Sequence, residues 1–230
     1  MIKILSSLAL AVLALIIVCL PLFQCSEEPG PQPREDLPWQ ITPTPAGSIT
    51  VFGLTLGEIT LGDAVAKLAQ QYKLGLFRDP DGHVTLETYF KEVVLGGFSA
   101  RIIVNAALDQ DILLGMLGHS DTAKQLQDGA EQYPVSAADI PTVMAAPIAS
   151  VTYIPYARLD EEVVLQRFGE PVERIAVNVD TQHWLYPQQG LDLILSEEGQ
   201  AVLQYLPPRH FERLREPLAR QLDQNATPLR

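Results

Sequence analysis

From Ile4 to Phe23 the chain is almost unbroken apolar, about 20 residues behind a single Lys3, which as a helix spans the hydrocarbon core of a bilayer. Residues 1–24 therefore read as a signal anchor or transmembrane segment, and the folded body has to be built from the remaining residues. Lys3 lies before the span, whereas Glu27, Glu28, Glu35 and Asp36 lie soon after it. The positive-inside bias then predicts a single pass through the inner membrane, with the N-terminus cytoplasmic and the C-terminal body in the periplasm.

The fate of the span is open on sequence grounds. A signal peptidase site wants small residues just before the cut, and Phe23 and Gln24 are large, which favours retention. Cys25 is the position at which a lipoprotein would be cut and acylated; Leu22 suits that pattern, but Gln24 is not the small residue expected before the Cys. The only other cysteine, Cys19, lies inside the span, so the body holds no internal disulfide.

With 47% hydrophobic residues the body has ample material for a core, and global disorder is excluded. A net charge of −12 argues against nucleic acid as a partner, since phosphates demand a basic surface. Contact with membrane is expected through the N-terminal helix and not through a basic patch.

Residues 25–47 contain Pro29, Pro31, Pro33, Pro38, Pro43 and Pro45 and read as an extended spacer, with Trp39 as a docking point within it. Beyond it the same order of elements is read twice. In residues 48–146, strand Ile49–Leu54 precedes a helix opened by the capping sequence Thr60-Leu61-Gly62-Asp63 and stopped by Gly75. Three strands come next, turning at Asp79-Pro80-Asp81-Gly82 and Gly96-Gly97, and then a helix from Asp109 to Gln127. In residues 147–222, strand Ile148–Ile154 precedes a helix from Leu159 to Phe168 that ends at Gly169, with Pro171 beyond. Strands over 174–179, 183–186, 191–195 and 201–206 lead to a last helix carrying Phe211, Leu214, Leu218 and Leu222, kinked or restarted at Pro217; residues 223–230 are a tail. The expected fold class is thus α+β: an N-terminal transmembrane or signal helix, then two modules of helix plus antiparallel meander, arising either by duplication or as two ordinary layouts of the same order.

The second half carries a resemblance. Glu161-Glu162-Val163-Val164 to Arg167-Phe168-Gly169-Glu170-Pro171, then Trp184-Leu185-Tyr186, Gly190-Leu191-Asp192-Leu193 and Gly199-Gln200-Ala201-Val202, resemble the small outer-membrane assembly lipoproteins of the SmpA/OmlA (BamE) type. In those, a helix ending in Gly-x-Pro precedes a meander with a Trp-x-Tyr strand. The tandem layout is similar to that of the beta-lactamase inhibitor protein. The resemblance covers roughly residues 158–206 and implies a binding or assembly role without catalysis.

Catalytic signals are weak throughout. His83, His119, His183 and His210 fall one per element, without the spacing that supplies two metal ligands from one element, and no metal or cofactor is expected. Gly118-His119-Ser120-Asp121 collects a hydrolase's residue types, but no Gly-x-Ser-x-Gly turn exists. Asp79-Pro80-Asp81-Gly82 places its Gly too early for a calcium loop and reads as a turn. Asp160-Glu161-Glu162 reads as the start of a helix, and Gly53, Gly57 and Gly62 do not make a phosphate-binding loop. Arg209, Arg213, Arg215 and Arg220 form a local basic run, read as a solvated face paired to Glu212 and Glu216 or as a contact for an acidic partner.

The candidate binding residues are His183, Trp184, Tyr186 and Tyr205, large groups on one small meander that form either core or a partner-facing patch. The expectation is a non-catalytic interaction or assembly module of the cell envelope. Its alternatives are a carrier of apolar ligands, suggested by the apolar runs 93–108 and 112–117, and a hydrolase built on Asp160 or Asp121.

Overall fold

Buried and half-exposed side chains alternate from Val84 to Phe90, and past an irregularity at Lys91 and Glu92 the strand runs on to Leu95, which makes Val84–Leu95 the longest strand among the described residues. The computed structural model describes residues 36–68, 71–120 and 122–218. In chain order the elements are β1 (Thr42–Pro43), β2 (Ile49–Val51), β3 (Leu54–Thr55), α1 (Leu61–Leu68), β4 (Lys73–Arg78), β5 (Val84–Leu95), β6 (Phe98–Ala106) and α2 (Gln110–Leu117). They continue with β7 (Lys124–Gln125), β8 (Glu131–Tyr133), α3 (Ile140–Ala145), β9 (Ile148–Pro155), α4 (Glu161–Phe168), β10 (Glu173–Ala176), β11 (Thr181–Tyr186), β12 (Leu191–Ser196) and β13 (Ala201–Tyr205). The last described element is a helical segment over 212–218.

The fold class read from the sequence is corrected here. Instead of two helix-plus-meander modules, one antiparallel sheet of ten strands runs β10-β11-β12-β13-β9-β6-β5-β4-β8-β7, beside a three-stranded sheet β1-β2-β3. β9, expected to open a second module, pairs with β6 from Ala100↔Pro155 to Ala106↔Ile148 on one side and with β13 from Leu203↔Tyr153 to Tyr205↔Val151 on the other. Two separate meanders would each leave edge N–H and C=O groups unpaired, and joining through β9 satisfies them. The helices are six to eight residues long and lie against this sheet as lids, not as a layer of their own.

Local expectations fare unevenly. The Thr60 hydroxyl accepts from the Asp63 amide at 3.2 Å and donates to its carboxylate at 2.7 Å, so the capping sequence does open α1. Gly75, expected to stop that helix, lies inside β4. The helix expected to reach Gln127 ends at Leu117, where Gly118 donates to the Gly115 carbonyl; the chain beyond it forms the β7–β8 hairpin, and β8 pairs with β4. A glycine three residues from the end of a short helix lowers the return for each further turn, and a strand edge was open to receive the chain.

One face of the sheet is covered. Leu76, Leu86, Phe90, Ile102, Val104, Val151, Tyr153, Trp184, Leu193, Leu203 and Tyr205 alternate onto it, and each is at most 1% exposed. Against them pack α1, α2 and α4 and a plug from the chain's start: Ile49, Val51, Phe52, Leu54 and Leu56, likewise at most 1% exposed. Residues 36–47, read as spacer, belong to this packing. Trp39 meets Phe98 and Phe168 edge-on at 6.0 and 6.4 Å beneath the Arg167 guanidinium, and the buried Tyr205 hydroxyl donates to the Pro38 carbonyl at 2.9 Å. On the opposite face a smaller cluster of Ile175, Leu185, Leu206 and Phe211, with Leu214 and Leu218, seats the C-terminal segment.

Among the described residues no helix is long and apolar enough to cross a membrane. The anchor read at residues 1–24, Cys25, Asp121, Arg220 and the tail 223–230 lie outside the described residues.

Two substitutions test this packing. Tyr205→Phe leaves the Pro38 carbonyl without its buried donor, so denaturant unfolding of the chain is expected to show a loss of about 1–3 kcal/mol. Gly190, at φ 59° between β11 and β12, approaches the Leu206 carbonyl so closely that any Cβ collides with it. Gly190→Ala is expected to cost more than about 2 kcal/mol in the same measurement.

Candidate functional site

The residues singled out from the sequence do not converge. Period-two alternation sends Trp184 and Tyr186 to the covered face, and Tyr205 joins them there. Trp184 is 1% exposed under the Arg174 guanidinium, which sits 3.8 Å from the ring centroid, and the Tyr186 hydroxyl donates to the Gly169 carbonyl at 3.0 Å. His183 points to the other face, where Nδ1 lies 2.8 Å from the buried Asp192 carboxylate. Of the two readings, Trp184, Tyr186 and Tyr205 take the core one while His183 lies on the other face, and the alternation could not say which face the helices would cover.

The catalytic alternatives disperse as well. His119 pairs with Asp139 at 3.0 Å, and the Ser120 hydroxyl donates to the Pro134 carbonyl, so the two side chains are committed separately. Asp79 accepts from the His83 amide in a hairpin turn, as the turn reading requires. Asp160 caps α4 by accepting from the Val163 amide at 2.8 Å, and Glu161 is bound to Arg174. Arg215 bridges Glu173 and Glu212, while Arg209 donates to the Ala46 carbonyl. Burial and the neighbouring Arg213 and Arg209 push His210 below its usual range. Among the described residues no cluster of His, Cys, Asp or Glu is arranged to hold a metal.

What the sequence reading missed is the sheet's other face. Between the C-terminal segment and the β4 end no described element lies over it, and Tyr89, Ile103, Ile154, Val202 and Ile194 stand half-buried on it. Beside them a groove of about 310 Å³ is cut between the sheet and the C-terminal segment. Pairing sets its floor: Glu87 of β5 opposes Asn105 of β6, which opposes Ser150 of β9, while Thr152 of β9 opposes Gln204 of β13. Leu206, Arg213 and Leu214 wall it. Burial raises the Glu87 carboxyl above the usual range, opposed in part by a hydrogen bond with Asn105. The side chains of Ser150, Thr152, Gln204 and Arg213 have no hydrogen bond or ion pair with other described residues.

A second cleft, of about 550 Å³, opens on the covered face past the start of α4, with Gln182, Trp184 and Leu195 on its sheet side and Asp180, Glu197 and Glu198 among its lining. Its remaining carboxylates, from Asp160 and Glu161, are already engaged by the Val163 amide and Arg174. The polar groove is the better candidate, because four adjacent strands orient its polar groups and those of Ser150, Thr152, Gln204 and Arg213 have no partner among the described residues.

The buried phenols provide a pH-dependent check on which aromatic groups are core. Burial lifts Tyr153 and Tyr186 from 10.0 to about 12, and Tyr205 well above 10.0. Such groups contribute stability that is complete below the unfolded value near 10 and is lost as pH rises through the folded values, because the unfolded chain releases those protons first. In an alkaline ultraviolet titration the native protein is expected to withhold these three of its seven tyrosinates until it unfolds, and simultaneous release of all seven near pH 10 would contradict the assignment.

Comparison with family models, with curated proteins and with solved structures finds no match to this chain.

Proposed function

We propose that this is a non-catalytic protein-binding module of the cell envelope, held at the periplasmic face of the inner membrane by its N-terminal segment and docking a partner on the bare part of its sheet. The observation that carries the reading is one-sided coverage. Lids and plug bury one face, while the other leaves tyrosine and aliphatic side chains beside polar ones without partners among the described residues, the mixture that suits a protein interface better than bulk solvent. The sheet's edges are poor alternatives: β7 is two residues long and β10 four, too short for a firm added strand.

The carrier reading finds little support. The apolar slot between Pro38, Trp39, Phe98, Tyr153 and Phe168 measures about 30 Å³, room for a water and not for an acyl chain.

Site-specific photocrosslinking in intact cells tests the proposal. A photoreactive residue at Tyr89 or Ile103 is expected to give a discrete adduct with another envelope protein, and one at Glu162, on the exposed surface of α4, is expected to give none. Adducts of equal yield at all three positions, or at none, would overturn it.

A further inference from the structure

The groove holds an unmatched pair of charges. Glu87 faces it with a half-buried carboxyl whose neighbour is an amide, and Arg213 faces it from the C-terminal segment with no carboxylate partner among the described residues, although every other arginine of that described segment and its approach is engaged. Between them lie two amides and two hydroxyls, each able to donate and to accept. A groove of this composition is complementary to a ligand with its own alternating donors and acceptors and a negative group at one end. Inorganic anions fit poorly, since only Arg213 offers a positive charge and Glu87 opposes them.

Its length narrows the choice. Gln204 and Glu87 lie on strands separated by β9 and β6, three inter-strand steps, or roughly 14 Å at ordinary spacing. An extended peptide covers that distance with about four residues. Arg213 stands with Leu206 and Leu214, which would put the terminal charge beside an apolar wall.

Resting on the protein-binding reading above, we infer that the groove takes the free C-terminus of the partner protein: its carboxylate on Arg213, its last side chain, apolar, against Leu206 and Leu214, its backbone amides on Gln204, Thr152, Ser150 and Asn105, and an N–H or ammonium donor on Glu87. Capture of a terminal carboxylate is a mode distinct from docking on the open sheet, and it gives the interface direction: the partner's end enters from the side of β13 and its chain leaves toward β5. Burial raises the Glu87 carboxyl, and an N–H or ammonium donor placed against it would favour its ionised form.

The test uses the full-length chain in detergent micelles, immobilised and exposed to two randomised peptide pools about ten residues long, one with free C-termini and one amidated, with captured peptides identified by mass. Peptides of this length overhang the groove as a protein's end would. Free acids ending in an apolar residue are expected to be enriched at least about tenfold over their amides. Arg213→Ala should abolish that preference and Arg213→Lys should retain part of it, while Glu87→Gln weakens capture without restoring the amides. Arg213 is exposed, so its removal leaves the fold intact, and shifts of the Asn105 and Gln204 side-chain amide signals on peptide addition locate the binding. Equal capture of acids and amides, no capture of either, undiminished preference in Arg213→Ala, or loss of binding when the same ending is carried on a folded protein would each overturn the inference. If photocrosslinks at Tyr89 and Ile103 persist in that event, the protein-binding reading stands and only the groove's occupant is wrong.

Discussion

Everything in this architecture hangs on the hydrogen-bond ladder on both sides of β9. Among the described residues, Ile148–Pro155 links the strands of the first half of the body to those of the second within the ten-stranded sheet, and it pairs antiparallel with both neighbours. Its inward side chains repeat the same joint in the core: Val151 and Tyr153 are buried, and Tyr153 stacks on Phe52 at 5.0 Å. Backbone pairing alone returns little net energy for each bond, but an unpaired edge at the centre of the protein would be costly. The ladder and the side chains it aligns therefore stand or fall together.

The second consequence is asymmetry. A sheet this wide needs one thoroughly covered face to be stable, and the covering is improvised from several short helices and from residues 36–60, with no single long helix in the described body. Those lids are spent on one side. On the other, only the C-terminal segment finds an apolar seat, and the remainder stays half-exposed. The groove is a by-product of that arrangement: among the described residues, a sheet floor and one helical wall. Of the acids and histidines singled out in the sequence, His119, His183, Asp160 and Glu161 are paired away from it.

Much of the local structure was legible. Thr60 and Asp160 cap their helices as their residue types suggest, Gly169 ends α4 with φ 80°, and the turns at Asp79–Gly82 and Gln188–Gly190 lie where glycine and polar residues cluster. These features depend on neighbours within a few residues. Gly75 misled because the same residue serves as a helix stop and as a strand position, and only pairing with Glu87 decides between them. Trp184 and Tyr186 were rightly assigned to one face, but burial belongs to the face and not to the residue.

The candidate groove had no sequence signature at all. Glu87, Asn105, Ser150, Thr152, Gln204 and Arg213 are spread over more than half of the described chain and form no motif. By itself the sequence determined the leading apolar span, the acidic balance, many of the strands and the helix caps at Thr60 and Asp160, because periodicity, charge and capping act through near neighbours. Only the tertiary structure decided that the two meanders share one sheet, which face is left bare and which polar side chains meet there. Those outcomes rest on strand register between residues far apart, where a shift of one residue would turn every side chain to the opposite face.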